Sequence, residues 1–128
     1  MPREIITTSQ APSSPLYAQG VKAGGQIFVS GTVGIDPATG SLAGESIQEQ
    51  TRQALKNCET ILKAGGATLD DVAEVGVLLH DPSDFAGLNE EWERWFPSDP
   101  PARYAAKLGA VIPGVLVSIR MTASSAEP

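Results

Sequence analysis

Positive charge, cysteine and histidine are all scarce in this chain of 128 residues. Only 9 Lys and Arg stand against 15 Asp and Glu, a net charge of -6. A dedicated nucleic-acid binder meets a polyanionic backbone with a basic stripe, and no Lys/Arg cluster here offsets the acidic balance. Cys58 is the single cysteine, which excludes an internal disulfide and fits a reducing cytoplasm. His80 is the single histidine, and it lies in a different segment from Cys58, so the pair cannot supply the ligand set of a zinc site. No metal is expected. A Ser-His-Asp triad lacks its G-x-S-x-G elbow, and the glycines between residues 20 and 25 lack the G-x-G-x-x-G spacing of a dinucleotide cradle. No apolar run approaches the length of a membrane span, and Met1-Pro2-Arg3-Glu4 does not open a signal peptide. The expectation is a soluble, cytoplasmic protein.

What remains suits one α+β domain with a real core, small enough to gain from oligomerisation. No internal repeat occurs, and only residues 124–128 read as a frayed end. Residues 4–8 and 26–31 have strand propensity, separated by a Pro/Ser-rich loop at 9–15. Asp36-Pro37-Ala38-Thr39-Gly40 reads as a hairpin turn. Ser46-Ile47-Gln48-Glu49 is a capping box; Ile47, Thr51, Leu55, Cys58 and Leu62 follow at helical spacing until Gly65-Gly66 stops them. A strand over 71–79 leads to a second helix that begins near Ser83. It places Phe85, Leu88, Trp92, Trp95 and Phe96 on one stripe before Pro97. Strands over 103–108 and 115–123 close the chain, the last with Val115, Val117, Ile119 and Met121 on its core side. Both helices are expected on one face of the sheet, leaving the other to water or another subunit.

Cys58 belongs to the apolar stripe of the first helix, and His80 reads as a polar strand end. Trp92, Trp95 and Phe96 read as core or subunit contact rather than a ligand cage. Asn89, between Phe85 and Trp92 on the helix, either satisfies a backbone group or touches a ligand. The arginine in Pro100-Pro101-Ala102-Arg103-Tyr104-Ala105 stands where a loop enters a strand, and its fork suits a carboxylate. Alternation places Arg103, Ala105 and Lys107 on one face and Tyr104, Ala106 and Leu108 on the other, the latter buried. If the last two strands pair as an antiparallel hairpin, Arg103, Lys107, Ser118 and Arg120 line one wall. That wall would be an anion pocket, or its cations would pair with carboxylates of a neighbouring subunit.

Several of these stretches together carry a family signal: Ala11-Pro12, Tyr17-Ala18-Gln19-Gly20, Ile27-Phe28-Val29-Ser30-Gly31, Asp36-Pro37-x-Thr39-Gly40, Asp84-Phe85 with Asn89 and Phe96, and Pro101-Ala102-Arg103. In this order and spacing the chain resembles the RidA (YjgF-type) family of enamine/imine deaminases over nearly its whole length. The resemblance implies a chorismate-mutase-like fold assembled as a homotrimer, sheets inward and helices outward, with clefts between subunits. It implies that Arg103 holds the carboxylate of a 2-imino acid and that Tyr17, Ser30, Gly31 and Asn89 line the cleft. The backbone of Ala105 would help orient a water, with no metal or organic cofactor. Counting without gaps from Arg103, the family's water-orienting glutamate falls on Ser118 and its cysteine on Ala105. Serine has no pKa suited to accepting a proton near neutral pH, although its hydroxyl can still hold a water.

The expected activity is therefore hydrolytic deamination of reactive 2-imino acids to 2-keto acids and ammonia. The alternatives are a small-carboxylate binding or regulatory protein, and a diverged enzyme using the same cleft. RNA cleavage, also attached to this family, is poorly matched by the negative charge and the lack of a paired histidine. Partners beyond the chain itself, nucleic acid and membrane included, are not expected.

Overall fold

A computed structural model describes residues 2–125. Its frame is a six-stranded sheet in the order β1-β2-β3-β8-β6-β7, built from β1 (Glu4–Ile6), β2 (Gly20–Ala23), β3 (Gln26–Val33), β6 (Val72–Leu79), β7 (Ala102–Lys107) and β8 (Val117–Ser124). A small hairpin of β4 (Ile35–Asp36) and β5 (Ser41–Leu42) turns through Asp36-Pro37-Ala38-Thr39-Gly40. Helices α1 (Ile47–Ala64) and α2 (Phe85–Trp95) join the core formed on one face. This is the expected α+β arrangement. Of the tail read as frayed, Ser124 ends β8, and residues 126–128 lie outside the described residues.

Helix α1 starts where its capping box predicts. The Glu49 amide donates to Ser46 Oγ at 3.1 Å, and the Ser46 amide donates to Glu49 Oε1 at 3.3 Å. Gly66, at φ 91°, takes the left-handed turn after the helix. The face packed on the sheet is apolar, with Leu55, Cys58 and Leu62 fully covered against Ile27, Val77 and Ile119. Two polar side chains on α1 fasten the loops. Gln50 donates to the Gly44 and Gly114 carbonyls at 3.0 and 2.9 Å and accepts from the Leu116 amide at 2.8 Å. Asn57 donates to the Val33 and Ile35 carbonyls at 3.1 and 2.8 Å. Both are buried, and their bonds satisfy backbone groups that burial would otherwise leave unpaired.

The C-terminal strands correct the hairpin expectation. Among the described residues β7 pairs with β6 alone, and in parallel, because α2 carries the chain back over the sheet between them. β8 instead runs antiparallel between β3 and β6. Its core side is as expected, with Val117, Ile119 and Met121 buried and Ser118, Arg120 and Thr122 on the open face. Arg103 is opposite Val75 and Lys107 opposite Leu79, both core residues, so these cations lie on the helix side of the sheet. The single wall of Arg103, Lys107, Ser118 and Arg120 is thus split between two faces.

Tyr104 is the second correction. It pairs opposite Gly76, lies on the open face and is 46% exposed rather than buried. A side chain at Gly76 would collide with the phenol oxygen, so the missing Cβ gives the ring its bed. Strand β2 was not legible in the sequence: Gly20-Val21-Lys22-Ala23 offers a single β-branched residue, and its partners on β1 and β3 define it.

Candidate functional site

The face of α2 turned toward β7 presents Phe85, Asn89 and Trp92, spaced i, i+4, i+7, and all three meet Arg103. Arg103 Nη1 donates to Asn89 Oδ1 at 2.8 Å. The guanidinium carbon stands 5.4 Å from the Phe85 ring centroid and 5.0 Å from that of Trp92. Trp92 is backed by Phe96, with centroids 4.9 Å apart. The side chain is therefore held by π-faces and one neutral amide, a setting that stabilises its orientation without cancelling its charge. Among the described residues, no carboxylate comes within 4.0 Å of it. Arg103 is half-buried and opens into a cleft that it shares with Glu93, Phe96, Pro100 and Pro101.

Asn89 thus neither caps backbone nor stands alone; it positions the arginine. Trp92 belongs to the core as expected and also carries the guanidinium on its ring, which Phe85, 42% exposed, flanks. Their i, i+4, i+7 relation to Asn89 was the available signal. Helix α2 is in turn locked to α1 by Glu91, which is 3% exposed, accepts from Arg52 Nη2 and Nε at 3.0 and 3.2 Å, and accepts from Trp95 Nε1 at 3.1 Å.

Beside Arg103, Ala105 is exposed on the helix-side face of β7. The Leu108 amide donates inward to the Leu79 carbonyl at 2.7 Å, so by strand alternation the N–H and C=O of Ala105 point away from β6. β7 is the sheet edge, and those groups have no partner strand.

The other expected residues gather elsewhere. Tyr17 is 57% exposed on the β1–β2 loop, next to Ser30 and Gly31 in a shallow cleft that Gln19 also borders. Gln19 organises this loop: its side chain donates to the carbonyls of Thr8, Ala11 and Pro12 at 2.9, 3.0 and 2.9 Å and accepts from the Thr8 amide at 2.8 Å. Its own carbonyl accepts from the Ser30 amide at 3.0 Å, and Ser30 Oγ donates to Ala18 O. The anchoring role of Gln19 has no local sequence signal, because its partners on Thr8, Ala11 and Pro12 lie 7 to 11 residues away. Ser30 and Gly31 together oppose the single residue Arg120, a β-bulge between the Val29–Met121 and Thr32–Ile119 pairs. An added Cβ at Gly31 would stand 3.1 Å from Ser118 Oγ, so Ser118 adjoins Gly31 on the open face without lining the cleft of Tyr17 and Ser30. Arg120, the remaining cation of that face, is spent on Glu74 Oε1 at 3.4 Å and Thr122 Oγ1 at 2.7 Å.

Two separate groups of residues result. Arg103, Asn89 and Ala105 occupy the β7 edge on the helix side. Tyr17, Ser30, Gly31 and Ser118 gather around the β3 bulge, with Ser118 on the open face. Strands β7 and β3 are three inter-strand steps apart, about 14 Å at the usual spacing. Strands β8 and β6 lie between the two groups. Of the side chains set aside earlier, Cys58 is fully buried, and desolvation pushes its thiol up to about 12, which fits a core residue. His80 is exposed just past β6. Among the described residues, no cluster of metal-ligating side chains occurs and no helix is long and apolar enough to cross a membrane.

Comparison with known proteins places this geometry. The family model described as Endoribonuclease L-PSP matches residues 8–125. A RutC family protein of Pyrococcus horikoshii is 41% identical over 123 residues, 94% of this chain and 97% of that protein. A human protein named 2-iminobutanoate/2-iminopropanoate deaminase is 38% identical over 122 residues, covering 94% and 89% of the two chains. The crystal structure of RidA from the Antarctic bacterium Psychrobacter sp. PAMC 21119 superposes with a TM-score of 0.88 at 36% identity, covering 94% of this chain and 98% of that one. Agreement in sequence, in fold and over nearly the full length means that the chain belongs to the RidA (YjgF-type) family.

Proposed function

We propose that this protein hydrolyses reactive 2-imino acids, the tautomers of 2-aminoacrylate- and 2-aminocrotonate-type enamines, to 2-keto acids and ammonia. The observation that carries the reading is Arg103, a fork-shaped cation with no carboxylate of the described residues within 4.0 Å, aimed by Asn89 and seated on two aromatic faces. The names of relatives at about this identity point the same way: 2-iminobutanoate/2-iminopropanoate deaminase in human and mouse.

The chemistry follows from the parts. Arg103 takes the substrate carboxylate through paired N–H bonds and fixes the adjacent imine carbon. A protonated imine is already electrophilic, so water attack needs orientation and proton transfer rather than a metal or an organic cofactor. The outward C=O and N–H of Ala105 and the Ser118 hydroxyl hold that water from two sides. Its oxygen bonds to the imine carbon as the C=N pair moves to nitrogen, and one water proton passes through solvent to that nitrogen; the C–N bond then breaks to expel ammonia while the hydroxyl proton leaves to solvent, giving the ketone and, net, ammonium. Serine supplies no base, and general-base assistance is typically worth about 10²–10⁴-fold, so turnover is slower than with a carboxylate there.

The site is completed in a homotrimer with sheets inward, where the Arg103 half of one subunit meets the Gly31–Ser118 half of the next. Phe28, 39% exposed, and Tyr104 present apolar area on the open face, as a subunit contact requires. The lone, buried Cys58 suits a reducing cytoplasm, where we place the reaction.

One observation, Ser118 itself, favours a second reading, a binding or regulatory protein that kept the cleft and lost efficient catalysis. The test generates 2-iminobutyrate in situ and follows its loss with wild type, Arg103→Ala and Ser118→Glu. Wild-type turnover abolished by Arg103→Ala supports the deaminase. An inactive wild type with activity gained in Ser118→Glu supports a repurposed cleft. No turnover in any variant, with saturable carboxylate binding, establishes the binding protein. The endoribonuclease description of the family draws no support from a chain with net charge -6.

A further inference from the structure

The Arg103 shelf has an unassigned neighbour. An open recess beside Phe85 is lined by Leu79, Pro82, Phe85, Ala105, Ala106 and Lys107. Phe85 is common to both, since the same ring carries the Arg103 guanidinium 5.4 Å from its centroid. Arg103, Ala105 and Lys107 follow each other at two-residue spacing on one face of β7, so both cations look across the same small alanine. Lys107 is exposed and, among the described residues, has no carboxylate within 4.0 Å. A nearby acid, Asp81, accepts from the Ser83 amide at 2.9 Å. That bond holds the Asp81 carboxyl below its usual range, with only lesser help from His80 and Lys107.

From this juxtaposition we infer that the site selects 2-imino acids bearing a second carboxylate at the end of the side chain, the imines of dicarboxylic amino acids. This rests on the deaminase reading for the reaction, but not for the binding. The α-carboxylate sits on Arg103, the methylene chain runs over Ala105 against Leu79 and Phe85, and the distal carboxylate reaches Lys107. The two Cα atoms are about 13 Å apart along a strand, and both side chains are long enough to lean inward. A five-carbon skeleton with a carboxylate at each end spans the gap that remains. A purely apolar side chain would leave the ammonium unused, and a short one would not reach it. Because Lys107 is solvent-exposed, its contribution is modest and screened by salt.

The experiment compares a dianion with a monoanion in two readouts. Imines of glutamate and of 2-aminobutyrate are generated in situ and their loss is followed. Their stable products, 2-oxoglutarate and 2-oxobutyrate, are titrated against the fluorescence of the tryptophans, one of which lies under Arg103. Wild type should favour the dianion in both. In Lys107→Met the dianion-to-monoanion ratio should fall about fivefold, Lys107→Arg should restore most of it, and added salt should shrink the wild-type preference. A wild type that prefers the monoanion, or a ratio unmoved in Lys107→Met, overturns the inference. Loss of assembly in Lys107→Met, read by native mass, overturns it too, because the lysine would then be a subunit contact. If no imine is turned over while the oxo-acid preference still depends on Lys107, the deaminase reading fails and this one stands.

Discussion

Replacing the residues of the arginine shelf one at a time should produce a graded loss of carboxylate affinity whose order follows from the geometry. Arg103→Ala removes two charge-assisted hydrogen bonds to the ligand. Bonds to charged groups are worth roughly 1.5–3 kcal/mol each in buried settings, and the half-exposed position discounts this to about 2.5–3 kcal/mol for the pair. That is about a hundredfold in Kd. Arg103→Lys keeps the charge but loses the planar fork and its fit on Phe85 and Trp92, for a loss of about tenfold. Asn89→Ala leaves the guanidinium on both rings and removes only the 2.8 Å bond that sets its rotation. The freed N–H can meet water, so the cost is one oriented bond, about 1 kcal/mol or fivefold. Calorimetric titration of 2-oxobutyrate into the three variants reads the series directly. An Asn89→Ala loss as deep as that of Arg103→Ala would mean that Asn89 grips the ligand itself. An Arg103→Ala protein that binds like wild type would end the anchoring argument.

Two further outcomes test the scaffold. Cys58, wholly buried with its thiol pushed up to about 12, should resist iodoacetamide in the native protein at pH 8 and react only after denaturation; rapid native labelling would contradict the placement on α1. Glu49 is held below its ordinary carboxyl range, first by the Ser46 hydroxyl and then by the Ser46 backbone. A depressed folded pKa stabilises above the unfolded value near 4.5 and is lost as pH falls through the folded one. Glu49→Gln should therefore flatten the acid-side decline in thermal stability, and an unchanged profile would remove the capping box from the account.

Much of the frame was legible because its signals are local. The capping box at Ser46 and Glu49, the alternation of Val117, Ile119 and Met121, and the turn at Asp36 to Gly40 each depend on residues close in sequence. The failures arose where pairing is non-local. Nothing within residues 102–107 says that β7 lies parallel to β6 rather than hairpinned to β8; the crossover through α2 decides it. That pairing sets which side of β7 meets the helices. Alternation correctly separated Arg103 from Tyr104 but could not say which side was covered, and an aromatic at the edge read as core. Gly76, a strand away, gives Tyr104 its place on the open face. The candidate site followed the same pattern. Arg103 and Asn89 could be named singly, yet the bond between them, and the separation of Arg103 from Ser118, depend on the three-dimensional arrangement.

The central claim is that the catalytic cleft is shared between two copies of the chain, with the guanidinium from one and the bulge from the next. Subunit mixing tests it most directly. Arg103→Ala and a Gly31→Val protein, whose added side chain crowds Ser118 Oγ, are purified separately, denatured together and refolded, and imine turnover is followed. If the halves come from different subunits, about a quarter of the clefts in a random mixture regain both intact parts, and activity absent from either parent returns at about that fraction. A mixture as inactive as its parents, with native mass confirming mixed trimers, would contradict a shared site.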